Sequence, residues 1–160
     1  MAKELELALK PGDPAPAFTA TATDGTQVSL SDFTGKSVVL YFYPKDDTPG
    51  CTKEACGFRD IYRQIQKRGA VVLGVSVDPV KSHQKFTDKF QLPFPLLADT
   101  DHRMVSAYGV WGEKLFMGRK YHGTHRVTFL IGADGRIVKI WPKVKPEDHP
   151  TEVLEALGGP

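Results

Sequence analysis

The chain has 160 residues, 41% of them hydrophobic and 25% charged, with a formal net charge of +2. That length suits a single domain, residues 1–160, with a substantial core, and interleaved charges so close to balance argue against a nucleic-acid partner. No apolar run approaches the ~18 residues of a membrane span, and Met1–Leu7 alternates charged with apolar residues instead of forming the apolar segment of a signal peptide. The cytoplasm is therefore the expected compartment. In that reducing setting, the two cysteines point to catalysis or metal binding more than to a permanent disulfide.

Residues 10–17 contain Pro11, Pro14 and Pro16 and predict an irregular lead-in. Phe18–Ala22 and Thr26–Leu30, on either side of Asp24-Gly25, predict a β-hairpin. Ser37–Tyr43 is apolar, β-branched and aromatic, as a buried strand is. Residues 50–67 predict the first long helix, with Phe58, Ile61, Tyr62 and Ile65 on one stripe and Gly69 closing it. Ala70–Val77 is a second buried strand, and Pro79 opens a helix in which Phe86 and Phe90 share a face. Phe94–Ala98 predicts a short strand and Thr100–Tyr108 a short helix capped by Thr100. Arg126–Ile131 and Arg136–Trp141 flank a Gly132-Ala133-Asp134-Gly135 turn, and Thr151–Leu157 predicts a terminal helix. Continuous apolar strands alternating with helices imply parallel pairing covered on both faces. The expected fold class is α/β and thioredoxin-like: a mixed central β-sheet flanked by helices, with an N-terminal β-hairpin.

Both cysteines lie in Pro44-Lys45-Asp46-Asp47-Thr48-Pro49-Gly50-Cys51-Thr52-Lys53-Glu54-Ala55-Cys56. Cys51 falls at the first turn of a helix that follows a buried strand. Unpaired backbone N–H groups and the positive end of the helix dipole favour a thiolate there, and the thiolate is the nucleophile. The stretch predicts a redox or nucleophilic site.

The spacing Pro44-x-x-x-Thr48-x-x-Cys51 resembles the active-site motif of peroxiredoxins. The fuller string from Tyr41 to Cys56, together with Tyr108–Lys114, Phe116-Met117-Gly118 and Arg126-x-Thr128-Phe129-Leu130-Ile131, is similar to the bacterioferritin comigratory protein branch, or Q type. The likeness runs from about Gly12 to the terminal helix. It implies a thiol-dependent peroxidase that reduces hydrogen peroxide and organic hydroperoxides, with no cofactor and no metal. Cys51 would be the peroxidatic nucleophile, oxidised to a sulfenic acid. Thr48 would orient the peroxide with a hydroxyl that both donates and accepts. Arg126 would set a cation against the thiolate and the developing alkoxide. Pro44 would shape the pocket and shield the sulfur, Glu54 would hold the arginine, and Gly50 would keep the helix start compliant.

The resemblance also makes Cys56 the resolving cysteine, which would close a disulfide on Cys51. Five residues along an intact helix set the two Cα atoms about 8.7 Å apart, against an upper limit near ~7 Å for a disulfide. The implied pairing therefore requires local unwinding of the helix that carries both cysteines. The family implies thioredoxin or a similar dithiol protein as reductant, no membrane or nucleic-acid partner, and a monomer, since no exposed apolar segment is apparent.

From the residues alone, a redox sensor that oxidises once stays open. A thioredoxin-type oxidoreductase is disfavoured by the four-residue gap between the cysteines, and zinc by the want of nearby histidines. The five histidines (83, 102, 122, 125 and 149) are expected on surfaces or loops, and Lys45, Asp46 and Asp47 on a solvated loop edge. Trp111, Phe116 and Met117 suit either a substrate or partner surface or core packing.

Overall fold

The computed structural model describes residues 5–158; the first four residues of the N-terminal stretch lie outside it. Nine strands and four α-helices are seen among the described residues: β1 (Thr19–Ala22), β2 (Gln27–Ser29), β3 (Ser37–Phe42), α1 (Pro49–Lys67), β4 (Ala70–Ser76), α2 (Val80–Phe90), β5 (Leu96–Ala98), α3 (Arg103–Ala107), β6 (Trp111–Phe116), β7 (Arg119–Thr124), β8 (Val127–Ile131), β9 (Ile137–Trp141) and α4 (His149–Ala156). Seven strands form one sheet in the order β2-β1-β5-β4-β3-β8-β9. Only β3–β4 and β4–β5 are parallel, the pairings that the helical crossovers α1 and α2 make possible.

The two-residue period of β3 divides the core. Val38, Leu40 and Phe42 face one apolar cluster, with Met104, Val105 and Tyr108 of the α3 region and Ala20 and Ala22 of the hairpin. Val39, Tyr41 and Tyr43 face the other, where Phe58 and Ile65 of α1, Phe86 of α2 and Val153 of α4 cover the sheet. The mixed α/β sheet flanked by helices, with its N-terminal hairpin, is thus as expected from sequence.

Four expectations need correction. The α3 region is shorter than predicted: the backbone passes through a left-handed conformation at His102, so the helix starts at Arg103. Its cap is Asp99, whose carboxylate accepts from the N–H groups of Met104 and Val105 at 3.0 and 2.8 Å; Thr100 is not the cap. A β6–β7 hairpin was not anticipated. It turns through Met117 and Gly118, both at positive φ, as a two-residue primed turn requires. Its tip leaves Leu115, Phe116 and Met117 exposed, the last at 87%, so an exposed apolar segment does exist, while Trp111 packs half-buried against the core. Finally, His83 and His149 are wholly buried and Asp46 is buried, where surface or loop positions were expected. Each of these polar groups has found a partner inside, which is what makes burial tolerable.

No helix among the described residues is long and apolar enough to cross a membrane.

Candidate active site

β3 ends at Phe42, which pairs antiparallel with Val127 at the start of β8. The chain therefore leaves the sheet at Tyr43 next to the point where Arg126 enters it. Beyond Phe42 it turns through residues 43–48 and begins α1 at Pro49, with Thr48 at the N-cap and proline in the first turn, where a missing N–H is harmless. Cys51 is consequently held in the first turn of α1, facing Arg126 across 75 residues of sequence. The Cys51 side chain is 1% exposed.

Arg126 bridges two groups on α1. Its Nη2 donates to Cys51 Sγ at 3.2 Å and its Nη1 to Glu54 Oε1 at 2.7 Å. Glu54 sits one turn after Cys51, so both partners project from one side of the helix. Burial opposes the Arg126 charge, but Glu54 and then Cys51 outweigh it and hold the guanidinium above the usual arginine value. Glu54 is fully buried and its Oε2 has no hydrogen-bond partner. Burial pushes its pKa up to about 7 despite the charge and hydrogen bond of Arg126. Tyr41 lies beneath, its hydroxyl also unpartnered, and burial followed by the charges of Glu54 and Cys51 drives its pKa well upward.

Gly50 and Gly57 are two helical turns apart, and each accommodates a close neighbour. A Cβ on Gly50 would lie 3.2 Å from Arg126 Nη2 and 3.4 Å from Pro146 Cγ. A Cβ on Gly57 would lie 2.6 Å from Pro150 Cγ, a distance real side chains do not tolerate. Pro146, before α4, and Pro150, in its first turn, are thus laid along the very turns of α1 that carry the cysteines. Both thiols are free: Cys51 is buried and Cys56 half-buried, on a helix that runs unbroken from Pro49 to Lys67.

Of the residues singled out from sequence, Cys51, Glu54, Arg126 and Gly50 come together. Pro44 lines a neighbouring cavity of about 300 Å³ with Lys45, Val77, Trp111, Lys114, Tyr121 and His122. Thr48 turns its hydroxyl to the carbonyl oxygen of Lys45, to which it donates at 2.9 Å, and not to the sulfur. Cys56 makes no contact with Cys51. A larger cavity, of about 580 Å³, lies between the β1–β2 turn and α2, and includes none of these residues. Sequence reasoning did not find Lys114. It donates to the Thr124 carbonyl at 2.9 Å, and burial first, then Arg126, lowers its pKa. No periodic signal marked it, because Trp111–Phe116 sets Glu113 and Lys114 side by side and Leu115 and Phe116 side by side, without the alternation of a half-buried strand. Among the described residues, no group of three or more histidine, cysteine, aspartate or glutamate side chains is gathered in a way that could hold a metal ion.

The sequence profile described as the AhpC/TSA family matches residues 11–140. The chain belongs to the AhpC/TSA family. Within it, this is a peroxiredoxin of the Bcp or Q type, a thiol peroxidase that acts on peroxides and is restored by a thiol reductant. This peroxiredoxin is 48% identical over 149 residues to peroxiredoxin Bcp of Escherichia coli K12, an alignment that covers 93% of this chain and 96% of the relative. It is 48% identical over 146 residues to peroxiredoxin Bcp of Bacillus subtilis, covering 91% and 93%. Among solved structures, the bacterioferritin comigratory protein of Xanthomonas campestris superposes with a TM-score of 0.85 at 40% identity, covering 95% of this chain and 97% of that one. That protein was solved as trapped intermediate and ligand complexes that bear on its alkyl peroxide reduction.

Proposed function

We propose that residues 1–160 act as one peroxidase domain in which Cys51 attacks the peroxide and Cys56 resolves the product. The observation that carries this reading is the Arg126 guanidinium, which donates to Cys51 Sγ while Glu54 pins its other nitrogen. A fixed cation at that distance stabilises a thiolate, and it remains in place as negative charge moves onto the leaving oxygen. The Cys51 thiolate attacks one peroxide oxygen, the O–O bond breaks, and the departing alkoxide or hydroxide takes up a proton, leaving a sulfenic acid. The Cys56 thiol then attacks that sulfur; an S–S bond forms and water departs. A dithiol protein of the thioredoxin kind reduces the disulfide, its own two thiols becoming a disulfide in turn.

Thr48 orients the bound peroxide after its hydroxyl turns from the Lys45 carbonyl, and Pro44 excludes water from the sulfur. Gly50 leaves room for the guanidinium that a side chain would crowd. Alkyl hydroperoxides join hydrogen peroxide as substrates, supported by the Xanthomonas relative and by the cavity beside Pro44. The unbroken helix supports local unwinding as a necessary step, because the sulfurs cannot meet while it is intact. A monomer in the cytoplasm is the reading that the family resemblance supports, although the β6–β7 tip does expose apolar side chains.

The test is stopped-flow oxidation of the reduced protein by hydrogen peroxide, with thiols counted by mass spectrometry. Rapid loss of one peroxide and two thiols, and multiple turnovers with thioredoxin and its reductase, are expected. Oxidation no faster than that of free cysteine would overturn the assignment.

A further inference from the structure

Beyond the Tyr43 N–H, which donates to the Val75 carbonyl of β4 at 3.0 Å, the loop that joins β3 to α1 leaves the sheet, yet it carries Pro44 and Thr48. Asp47 adopts a left-handed conformation at φ +57, which aspartate tolerates better than most residues and which turns the chain toward α1. One buried carboxylate anchors this loop. Asp46 Oδ1 accepts from the Tyr43 hydroxyl at 2.5 Å, and Oδ2 accepts from the Ser82 hydroxyl at 2.8 Å. Asp46 Oδ2 also lies 2.7 Å from His83 Nδ1. The Asp46 N–H donates to Asp78 Oδ2 at 2.9 Å, and Asp78 accepts from the Ser76 hydroxyl as well. The Tyr43 bond closes the loop on itself, and the bonds to Asp78, Ser82 and His83 tie it to the end of β4 and the start of α2.

His83 completes the arrangement. Its side chain is 0% exposed, and Nε2 lies 2.9 Å from the Leu97 carbonyl oxygen. A carbonyl only accepts, so Nε2 carries a proton. Nδ1 faces a carboxylate that already accepts from two hydroxyls, so a proton lies between them too. Both ring nitrogens are thus held by short hydrogen bonds, and the pair is buried. Buried polar pairs are poor devices for stability alone, because desolvation offsets their attraction. This one fixes a position: it sets the loop against the sheet with short, directional bonds.

We infer that His83 is a positioning residue of the peroxidase, acting through Asp46 to hold the Pro44–Thr48 loop over Cys51. The inference rests on the reading above that Pro44 and Thr48 meet the peroxide. His83 touches neither the sulfur nor the substrate. Its influence falls on the placement of the loop, where a shift of about 1 Å can lower a rate by about 100-fold. The nucleophilicity of Cys51, set by Arg126 and the start of α1, stays as it is.

The experiment compares two reactions of the same thiol in a Cys56→Ser background: oxidation by hydrogen peroxide and alkylation by iodoacetamide. In His83→Gln, the peroxide rate constant is expected to fall about 10- to 100-fold while the alkylation rate stays within about twofold. Asp46→Asn combined with His83→Gln, a neutral pair, is expected to recover part of the rate lost in either single variant. A folded His83→Gln protein with a peroxide rate within twofold of the parent overturns the inference, whatever its urea midpoint. So does a parallel fall in alkylation, which would mean that His83 acts through the thiolate. Thr48→Val runs alongside. A loss there with none in His83→Gln removes only this inference, whereas no loss in either removes the peroxide-binding role of the loop itself. Should His83→Gln not fold, Tyr43→Phe removes one donor to Asp46 and keeps the ring. It is then read against the same two reactions, with a peroxide-specific loss of about threefold or more expected and no loss refuting the inference.

Discussion

Replacing Glu54 with glutamine isolates the electrostatics of the buried bridge beneath Cys51. Glutamine keeps an oxygen for Arg126 Nη1 but cannot ionise, so the variant imitates the protonated wild type. Glu54 is fully buried, and its pKa rises from 4.5 to about 7, chiefly through burial. The folded state thus binds this proton more tightly than the unfolded chain does. The stability this confers is complete below about pH 4.5, is lost as pH rises through about 7, and stays lost above it. At 1.36 kcal/mol per pH unit, that displacement amounts to about 3 kcal/mol. Urea unfolding of both reduced proteins between pH 4.5 and pH 8 measures the difference, since titrating groups remote from Glu54 cancel between them. The two should be close near pH 4.5, and Glu54→Gln should gain up to about 3 kcal/mol on the wild type by pH 8. If instead the wild type gained on the variant as pH rose, the Arg126 pairing would outweigh burial and the reasoning would fail.

Arg126→Met removes the donor at 3.2 Å from Cys51 Sγ; stopped-flow oxidation by hydrogen peroxide should slow by about 100- to 1,000-fold, and a loss under tenfold would contradict its assigned role. Cys56→Ser should leave the urea midpoint nearly unchanged and halt the cycle at a Cys51 sulfenic acid that dimedone traps; normal turnover with thioredoxin would exclude Cys56 as the resolving thiol. Gly57→Ala should destabilise the protein, because overpacking against Pro150 costs about 1–3 kcal/mol against roughly 1 kcal/mol gained in helix propensity. Pro150→Ala should erase most of that penalty in a double-mutant cycle, and strict additivity would show that the two do not meet. Asp99→Ala should cost about 1–2 kcal/mol by freeing two helix N–H groups, whereas Thr100→Ala should change stability by less than about 0.5 kcal/mol.

The sequence alone determined a good deal. The short continuous apolar, β-branched and aromatic run Ser37–Tyr43, bounded by turn residues, marked a buried strand, and the 3.6-residue stripe of Phe58, Tyr62 and Ile65 marked an amphipathic helix. Pro49, Gly50 and Cys51 at their junction fix the cysteine in the first turn, where local rules suffice. The Pro44–Cys51 spacing and the downstream segments made the family legible. Helix geometry by itself separated Cys51 from Cys56, since five residues on a rigid helix allow one distance.

Partnerships across long sequence separations were decided only by the tertiary structure. Arg126 meets Cys51 because β8 pairs with β3 at Val127 and Phe42, a register that no local pattern encodes. Asp46 and His83 read as solvated polar residues in sequence, because aspartate and histidine carry no periodic signal of burial. Only the packing of α2 against the β3–α1 loop sets them 2.7 Å apart. Asp99 displaced Thr100 as the cap for a similar reason: the left-handed turn at His102 re-aimed the helix start, which composition does not reveal. Pro150 seated on Gly57 is likewise a contact between segments more than 90 residues apart. Local propensities and periods are properties of short windows, whereas a buried charge is stable only where the fold supplies its partner.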